Sequence, residues 1–441
     1  MSNPHTDVFI VIDEARRVLL VKNALPHLTH DFHFWQSCAP ANEALAAYFG
    51  INAVTVRAVK TEWGENDSRF TYLMEYQSGS LPMTAAWAQG ERIPAEAREA
   101  LAWYAADHPL RVEWYRPQFV DRLTADMRAR FGAGVWLEQV RSWGRSAIWR
   151  LVDDDGVRYL KIVPPMLFAH EPTFSERLAR AFPGRVPEVV ARQVGRWFVA
   201  EDYSGESLFA EPLREVGLWE RALRAYARWQ QTSRDLAIEA AQAGELPTRD
   251  MGWMLAHFRA LLADDAALGR GYRPIAAEER ARIDQHLPRI ETALRELNED
   301  GLLALTHGDF WAGQIILTDD NRLLFTDWSD STLSHPFFDA AFFLSEIAGD
   351  LPDAPNAGDR LARAYLEEWE VMGPVEELLP MYRACEIAAP LYTALRYYLD
   401  ILPQMEIPWE MENMLNYNLR LMLRALDGSA DANVQENDSA H

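Results

Sequence analysis

The chain has 441 residues, of which 49% are hydrophobic and 25% are charged, so its composition is that of a globular protein and excludes a wholly disordered chain. Its 43 basic and 66 acidic residues give a formal net charge of −23, which argues against nucleic-acid and anionic-membrane partners and tolerates a cationic small molecule. Two distant cysteines predict no disulfide framework, and the absence of a basic leader or a long apolar run leads us to expect a cytoplasmic protein.

The first predicted unit covers residues 1–117 and combines strands with helices. Two strands rich in β-branched residues lie on either side of a polar turn in residues 7–22. A loop rich in histidine and aromatic residues follows, and a short helix and a second pair of strands come after it. Pro94 opens another predicted helix, since proline is favoured in the first helical turn. These elements predict a compact α+β domain.

A β-rich segment and then a mostly helical one make up the rest of the chain. Residues 118–134 predict a connecting helix, and residues 135–205 predict three short strands, a helix and a further strand. Residues 206–426 predict helices apart from one strand–loop–strand stretch, and Pro288 inside one helical stripe leaves open whether that helix is unbroken. We expect the polar, acidic tail 427–441 to be disordered.

The stretch that carries chemistry runs from His307 to Asp327 and reads HGDFWAGQIILTDDNRLLFTD. Asp309 lies in the loop before a predicted β-hairpin and Asp327 lies at its far end, so the hairpin can return the two carboxylates towards each other. Gln314 enters the first strand, where its carboxamide oxygen can face the same place. Phosphoryl transfer uses such groups, because Mg²⁺ takes carboxylate and phosphate oxygens and a further carboxylate orients the attacking hydroxyl.

Together with the residues that follow it, FTDWSDSTLSHPFFDAAFF, this stretch resembles the aminoglycoside-phosphotransferase-like branch of the protein-kinase-like fold. The resemblance implies that Asp309 is the catalytic base and that His307 orients its loop. It implies that Asp327 is the principal Mg²⁺ ligand, that Gln314 stands at the second ligand position, and that Asp339 ties the next helix to the site. The implied cofactors are ATP and Mg²⁺, and the implied acceptor is a hydroxyl of a small molecule.

The strands before the catalytic loop match the same family in order. Lys161 lies in the strand after the turn DDDG, and the resemblance implies that it holds the α- and β-phosphates of the nucleotide. Its expected partner is Glu171, which opens the helix predicted over residues 170–182. Glu176, one turn further along, is the alternative partner.

Two further segments are expected to contact the nucleotide. The loop SWGRSAI, with Gly144 as its single glycine, would cover the phosphates. The segment WFVAEDYSG resembles the hinge that contacts adenine through its backbone, around Glu201, Asp202 and Tyr203. The elements come in the family order, which implies an α+β, two-lobed, protein-kinase-like fold.

The predicted domains follow from this resemblance. Residues 135–205 would be the β-rich N-lobe, and residues 206–426 would be the mostly helical C-lobe that carries the catalytic loop. The small α+β domain 1–117 and the connecting helix 118–134 would precede them.

The N-terminal domain has a weaker resemblance to the Nudix fold, through its strand, strand, helix order and a helix that ends in Gly-Ile. Aligned on Gly50, the metal-binding glutamates of a Nudix helix would fall on Ala44, Ala47 and Tyr48, none of which can bind a metal. The resemblance therefore implies a non-catalytic domain, and an unrelated α+β domain is the alternative.

The departures from the family pattern leave other functions open. Gln314 stands where the family has asparagine, which keeps a nucleotide-binding sensor without turnover as an alternative to a small-molecule kinase. A protein kinase is a third hypothesis, although no long activation segment follows Asp327. Asp330 is interpreted as a turn acid outside the catalytic set.

The acceptor could be an aminoglycoside, another antibiotic, a sugar, an amino alcohol or a nucleoside. Candidates for contacting it are Glu368, Trp369, Tyr382, Glu386, Tyr392 and Tyr397.

Overall fold

The computed structural model describes residues 5–64, 67–346 and 357–428. The strands are β1 His5–Ile12, β2 Val18–Val21, β3 His27–His30, β4 Ile51–Trp63, β5 Ser68–Gly79, β6 Ala85–Ala88, β7 Trp136–Trp143, β8 Ser146–Asp153, β9 Gly156–Ile162, β10 Val189–Gln193, β11 Trp197–Glu201, β12 Gly205–Ser207, β13 Ala304–Thr306, β14 Ile315–Thr318, β15 Leu323–Phe325 and β16 Thr332–Ser334. The helices are α1 Cys38–Phe49, α2 Ala95–Ala105, α3 Phe119–Phe131, α4 Pro165–Phe168, α5 Glu171–Ala181, α6 Val216–Thr232, α7 Arg234–Gln242, α8 Met251–Ala263, α9 Asp265–Leu268, α10 Ala277–Asp300, α11 Phe337–Glu346, α12 Ala357–Glu367, α13 Val375–Arg396 and α14 Glu412–Asp427.

The described residues form two compact units. The first unit contains the residues up to Met166 together with Arg196–Asp202. The second unit contains Leu167–Gly195 and the described residues from Tyr203 onwards. Of the tail predicted to be disordered, residues 427–441, Asp427 ends α14 and Gly428 caps that helix, and residues 429–441 lie outside the described residues.

A mixed β-sheet forms the core of the first unit. Its strand order is β4-β5-β1-β2-β6, and β3 also pairs with β1. The central strand β1 runs parallel to β5 and is almost fully buried, as expected of the continuous apolar run VFIVI. The predicted loop rich in histidine is not irregular throughout, because its first residues, His27–His30, form β3 against β1. Pairing with β1 supplies the backbone hydrogen bonds that hold this four-residue segment in a strand conformation.

A second sheet, in which β11, β9, β8 and β7 lie side by side in that order, belongs to the same unit. The carboxamide of Gln139 on β7 bonds to the backbone of Thr55 on β4, as a neighbouring strand would. Its Nε2 donates to Thr55 O at 2.7 Å, and its Oε1 accepts from Thr55 N at 2.9 Å. Ser142 Oγ donates to Val56 O at 2.7 Å. These bonds join the two sheets into one unit, and the domain boundaries predicted at residues 117 and 134 stay predictions.

The second unit is mostly helical, with α13 packed against α10, α11 and α14. Two small sheets interrupt the helices. One pairs β13 with β16, and the other has the order β12-β14-β15. The predicted strand–loop–strand stretch is therefore confirmed, with β14 and β15 as its hairpin.

The helix that contains Pro288 is unbroken, because α10 continues from Ala277 to Asp300. Proline removes one helical hydrogen bond, the one to the carbonyl of Asp284. Pro288 and Asp284 both lie on the exposed face of the helix, where that carbonyl can bond to water instead. Among the described residues, no helix combines the length and the apolar character needed to cross a membrane.

Candidate active site

The loop that follows β13 is held at its base by strand pairing. β13 pairs antiparallel with β16, so that Thr306 lies opposite Thr332 immediately before the loop starts. His307 is fully buried, and its Nε2 lies 2.7 Å from the carbonyl oxygen of Thr326. A carbonyl only accepts, so this nitrogen carries the proton and donates. The histidine thus connects the loop to the end of the β14–β15 hairpin.

A buried carboxylate at the start of α11 clamps the same loop. Asp339 Oδ2 accepts the backbone N–H of His307 at 2.8 Å, and Oδ1 accepts that of Gly308 at 3.0 Å. The hydroxyl of Tyr226 on α6 also donates to Oδ2, at 2.6 Å. Burial raises the pKa of the Asp339 carboxyl, and these hydrogen bonds oppose the rise. The contacts match the structural role that the sequence assigned to Asp339, a role that stays a prediction.

Asp309 lies at the accessible side of this clamped loop and is only partly buried. The Nε2 atom of Gln314 lies 3.5 Å from Asp309 Oδ2. The carboxamide oxygen of Gln314 accepts from the Thr326 hydroxyl at 3.3 Å, so it does not face Asp309 as expected. A rotation of the carboxamide by half a turn would exchange the two atoms. The role of Gln314 as a second metal ligand therefore stays a prediction.

Asp327 follows β15, and the hairpin brings it back beside the strand end that Gln314 precedes. Its backbone φ of 62° is left-handed, a conformation that costs energy in a residue with a side chain and clusters at functional sites. The Ser329 hydroxyl donates to Asp327 Oδ1 at 2.7 Å and fixes the carboxylate. Asp309 and Asp327 are both partly exposed. Two accessible carboxylates are the hard oxygen donors that Mg²⁺ prefers, so the donor set fits this ion.

A buried ion pair behind the loop was missed by the sequence reasoning. Asp330, interpreted as a turn acid, is buried, and its Oδ1 lies 2.8 Å from Nη2 of Arg396 near the end of α13. Gly308 has a φ of 79°, and a Cβ built on it would lie 2.2 Å from Asp330 O and 2.6 Å from Arg396 Nη1. The loop thus packs directly against this pair. Only the charge and the position two residues before β16 could have pointed to Asp330.

The predicted nucleotide contacts of the first unit lie on its second sheet. Lys161 is nine-tenths buried on β9, between Ile148 of β8 and Phe198 of β11. Gly144 lies in the two-residue turn that joins β7 to β8. Glu201, the last residue of β11, accepts from Arg158 Nε at 3.2 Å. The contact roles of these residues stay predictions.

The second unit contains the two acids considered as partners of the lysine. Glu171 is fully buried at the start of α5. Glu176 forms surface ion pairs with Arg180 at 2.8 Å and Arg192 at 2.6 Å. Glu176 is therefore engaged in ion pairs within the second unit, and the pairing of Lys161 with Glu171 stays a prediction. The predicted hinge falls where the chain passes from the first unit, ending at Asp202, to the second.

The residues suggested for contacting an acceptor are engaged within the second unit. Glu368 pairs with Arg224 and Arg228, and Glu386 pairs with Arg383. The four aromatic candidates are all buried: Trp369, Tyr382, Tyr392 and Tyr397. These aromatic side chains are therefore core residues in the structure, and helical spacing alone did not distinguish core from site.

A buried histidine before α11 predicts a pH dependence of stability. Burial lowers the pKa of His335 to about 3, and its Nδ1 lies 3.4 Å from the Sγ of Cys385. Below pH 6.5 the unfolded chain gains a proton there that the folded chain does not, so stability is lost as pH falls. Between pH 7 and pH 5 we expect this group to remove about 2 kcal/mol. Urea unfolding at pH 7 and at pH 5 measures this loss of unfolding free energy, and the His335→Asn variant should not show it.

The matched control for this measurement is His257→Asn, which changes a partly exposed histidine on α8 of the same unit. It should keep the pH dependence of the unchanged chain. If the stability of His335→Asn depended on pH as strongly as that of the unchanged chain, His335 would not be the source of the pH dependence.

Comparisons with known proteins bear on this geometry. A profile of the phosphotransferase enzyme family matches residues 136–375, more than half of the chain. A search of curated proteins found no significant match. The structure is similar to that of an ethanolamine kinase from Plasmodium vivax, at 13% identity and a TM-score of 0.51, covering 77% of this chain and 96% of that one. It is also similar to choline kinase from Cryptosporidium parvum, at 12% identity and a TM-score of 0.50, covering 70% and 95%. The kinase-like fold is confirmed.

Proposed function

The chain belongs to the phosphotransferase enzyme family, and we propose that it transfers the γ-phosphate of ATP, with Mg²⁺, to a hydroxyl of a small molecule. One observation carries the proposal. The buried Asp339 carboxylate fixes the backbone of His307 and Gly308, and this fixes the position of the accessible Asp309 carboxylate. Phosphoryl transfer requires such a positioned carboxylate together with a metal-binding one, for which we propose Asp327 at the far end of the hairpin.

In this proposal the two carboxylates have different tasks. Asp309 accepts a hydrogen bond from the acceptor hydroxyl and takes its proton as the new P–O bond forms. The bond between the γ-phosphorus and the β–γ bridging oxygen of ATP breaks in the same step, and ADP leaves. Asp327, with Gln314, would hold Mg²⁺, which supplies charge neutralisation at the phosphates when bound. His307 keeps the loop in place through its bond to Thr326. Much of the rate would come from orientation and electrostatics.

The nucleotide would be bound by the residues of the N-lobe pattern. Lys161, paired with Glu171, would hold the α- and β-phosphates, and the Gly144 turn would cover them. The backbone around Glu201, Asp202 and Tyr203 would contact adenine. A buried lysine is expected to have an acidic partner, since an isolated buried charge is costly.

The acceptor class is the open part of the proposal. The names of the two similar structures suggest ethanolamine and choline as first acceptors, and the family resemblance adds aminoglycosides, sugars and nucleosides. ADP formation with Mg²⁺ and ATP across such a panel tests the proposal. Acceptor-dependent ADP formation supports it, and its product names the acceptor. Nucleotide binding without acceptor-dependent turnover across the panel would overturn it in favour of a nucleotide sensor.

The proposed metal role predicts the behaviour of Asp327→Asn. The amide keeps the shape of the side chain but removes the negative charge, so the variant should need more Mg²⁺ and should turn over on the order of 10²–10³-fold more slowly. Rates over a Mg²⁺ titration measure both effects. Asp319→Asn, in the exposed turn between β14 and β15, is the control and should behave like the unchanged chain. A rate and Mg²⁺ dependence unchanged in Asp327→Asn would exclude the assignment.

A further inference from the structure

Three histidines and one aspartate of the first unit converge on one point that the proposed function does not use. Their ligand atoms, one each from His5, Asp7, His30 and His33, all lie within 4.8 Å of one another. Nε2 of His5 lies 2.8 Å from Asp7 Oδ1. The Nε2 atoms of His30 and His33 lie 2.8 and 2.9 Å from the other carboxylate oxygen. Three imidazole nitrogens thus converge on the two oxygens of one carboxylate.

Strand pairing builds this cluster. His5 and Asp7 are two residues apart on β1, so their side chains lie on the same face of the sheet. β3 pairs with β1 in the register that places His30 directly opposite His5. The chain then leaves β3 and brings His33 to the same point three residues later.

Further hydrogen bonds orient two of the rings from behind. Nδ1 of His5 lies 2.7 Å from Ser68 Oγ on β5, and Nδ1 of His33 lies 3.1 Å from the carbonyl oxygen of Phe34. Because a carbonyl only accepts, Nδ1 of His33 carries a proton. Once Nε2 gives up the proton that it donates to Asp7, its lone pair can bind a metal while Nδ1 keeps its hydrogen bond. A histidine whose outer nitrogen is fixed in this way presents the other nitrogen for metal binding.

The surroundings suit a metal ion with one route of access. His5 and Asp7 are fully buried. Phe70 is also fully buried, and the centroid of its ring lies 4.4 Å from that of the His5 ring. The side chains of His30 and His33 remain 20% and 8% exposed, so an ion can enter from their side. The buried Asp7 carboxylate faces the three Nε2 atoms, and a divalent cation that replaced their protons would supply positive charge beside it.

We propose that His5, Asp7, His30 and His33 bind one Zn²⁺ ion as a structural site. Three imidazole nitrogens and one carboxylate oxygen match the ligand types and the fourfold coordination of structural zinc. Binding replaces the N–H···O hydrogen bonds to Asp7 with Zn–N and Zn–O bonds, and the protons on the Nε2 atoms leave to solvent. The ion links β1, β3 and the segment after β3 in the N-terminal sheet.

The test uses the full chain without a polyhistidine tag, stripped with a chelator and dialysed against Zn²⁺ in excess Mg²⁺. Elemental analysis should find one zinc per chain in the unchanged protein, in Asp327→Asn and in His27→Gln, which changes an exposed histidine of the same strand. His30→Gln and His33→Gln should each bind Zn²⁺ at least ~10²-fold more weakly by competition with a chelating dye. Circular dichroism checks that each variant is folded.

A second measurement needs no variant. Cobalt(II) added to the stripped protein should give the intense visible absorption of a tetrahedral site, and one equivalent of Zn²⁺ should remove it. If elemental analysis found no bound zinc and cobalt gave no such absorption, the proposal would be overturned, and the residues would form only a hydrogen-bonded histidine–aspartate cluster. Zinc retained equally by His30→Gln and His33→Gln would overturn it as well, because the ion would then lie elsewhere.

Discussion

Replacing Asp309 with alanine should lower acceptor-dependent phosphoryl transfer by about 10³-fold while ATP still binds. The side chain is partly exposed and lies on a loop that other residues hold, namely His307, through Thr326, and Asp339. Its removal therefore takes away the proton acceptor without removing the loop's supports. Initial rates of ADP formation with a responsive acceptor, measured beside ATP affinity, separate the two effects.

Two further variants make this expectation specific. Asp309→Asn keeps the size of the side chain and should lose nearly as much rate, because an amide is a poor proton acceptor. Asp319→Ala removes an exposed aspartate from the nearby hairpin turn and should leave turnover unchanged. If Asp309→Ala kept the rate of the unchanged chain, Asp309 would not be the base and the proposed mechanism would be wrong.

Most residues of the proposed site could be named from the sequence because they lie within one short stretch, and their roles stay predictions. Asp309 and Asp327 are separated by a hairpin whose strands are apolar and whose turn is polar, so their return towards each other follows from local pattern alone. The separation of β-rich and helical segments could be predicted for the same reason. The unbroken helix at Pro288 shows the limit of a local rule, because exposure to solvent decides whether a lost hydrogen bond breaks the helix.

What could not be predicted depends on contacts between distant residues. His5 and His30 meet because of the register between β1 and β3, and a shift of one residue would turn the histidine to the other face. Arg396 meets Asp330 because α13 packs behind the loop, and no spacing in the sequence encodes that approach. Such pairs become visible only when the tertiary packing is known.

The ion pair between Asp330 and Arg396 should have the largest effect on stability. Both side chains are almost fully buried, so Arg396→Met leaves a buried carboxylate without its cation and should cost about 3–5 kcal/mol of unfolding free energy. Arg383→Met on the same helix removes an exposed guanidinium that pairs with Glu386 and Asp359, and it should cost less than about 1 kcal/mol. Urea unfolding of both variants at pH 7 measures the contrast, and equal losses would contradict it.

The double variant Asp330→Leu, Arg396→Met separates stability from catalysis. Replacing both charges with apolar side chains removes the uncompensated carboxylate and should recover most of the stability lost in Arg396→Met. The turnover of the double variant should be lower than that of the unchanged chain. The Arg396 guanidinium and the Asp330 backbone both lie against Gly308, and the position of Asp309 depends on this packing. A double variant that recovered both stability and kcat would show that the pair only fills space. A stable double variant with low kcat and unchanged ATP affinity would make Arg396 a positioning residue for the catalytic loop.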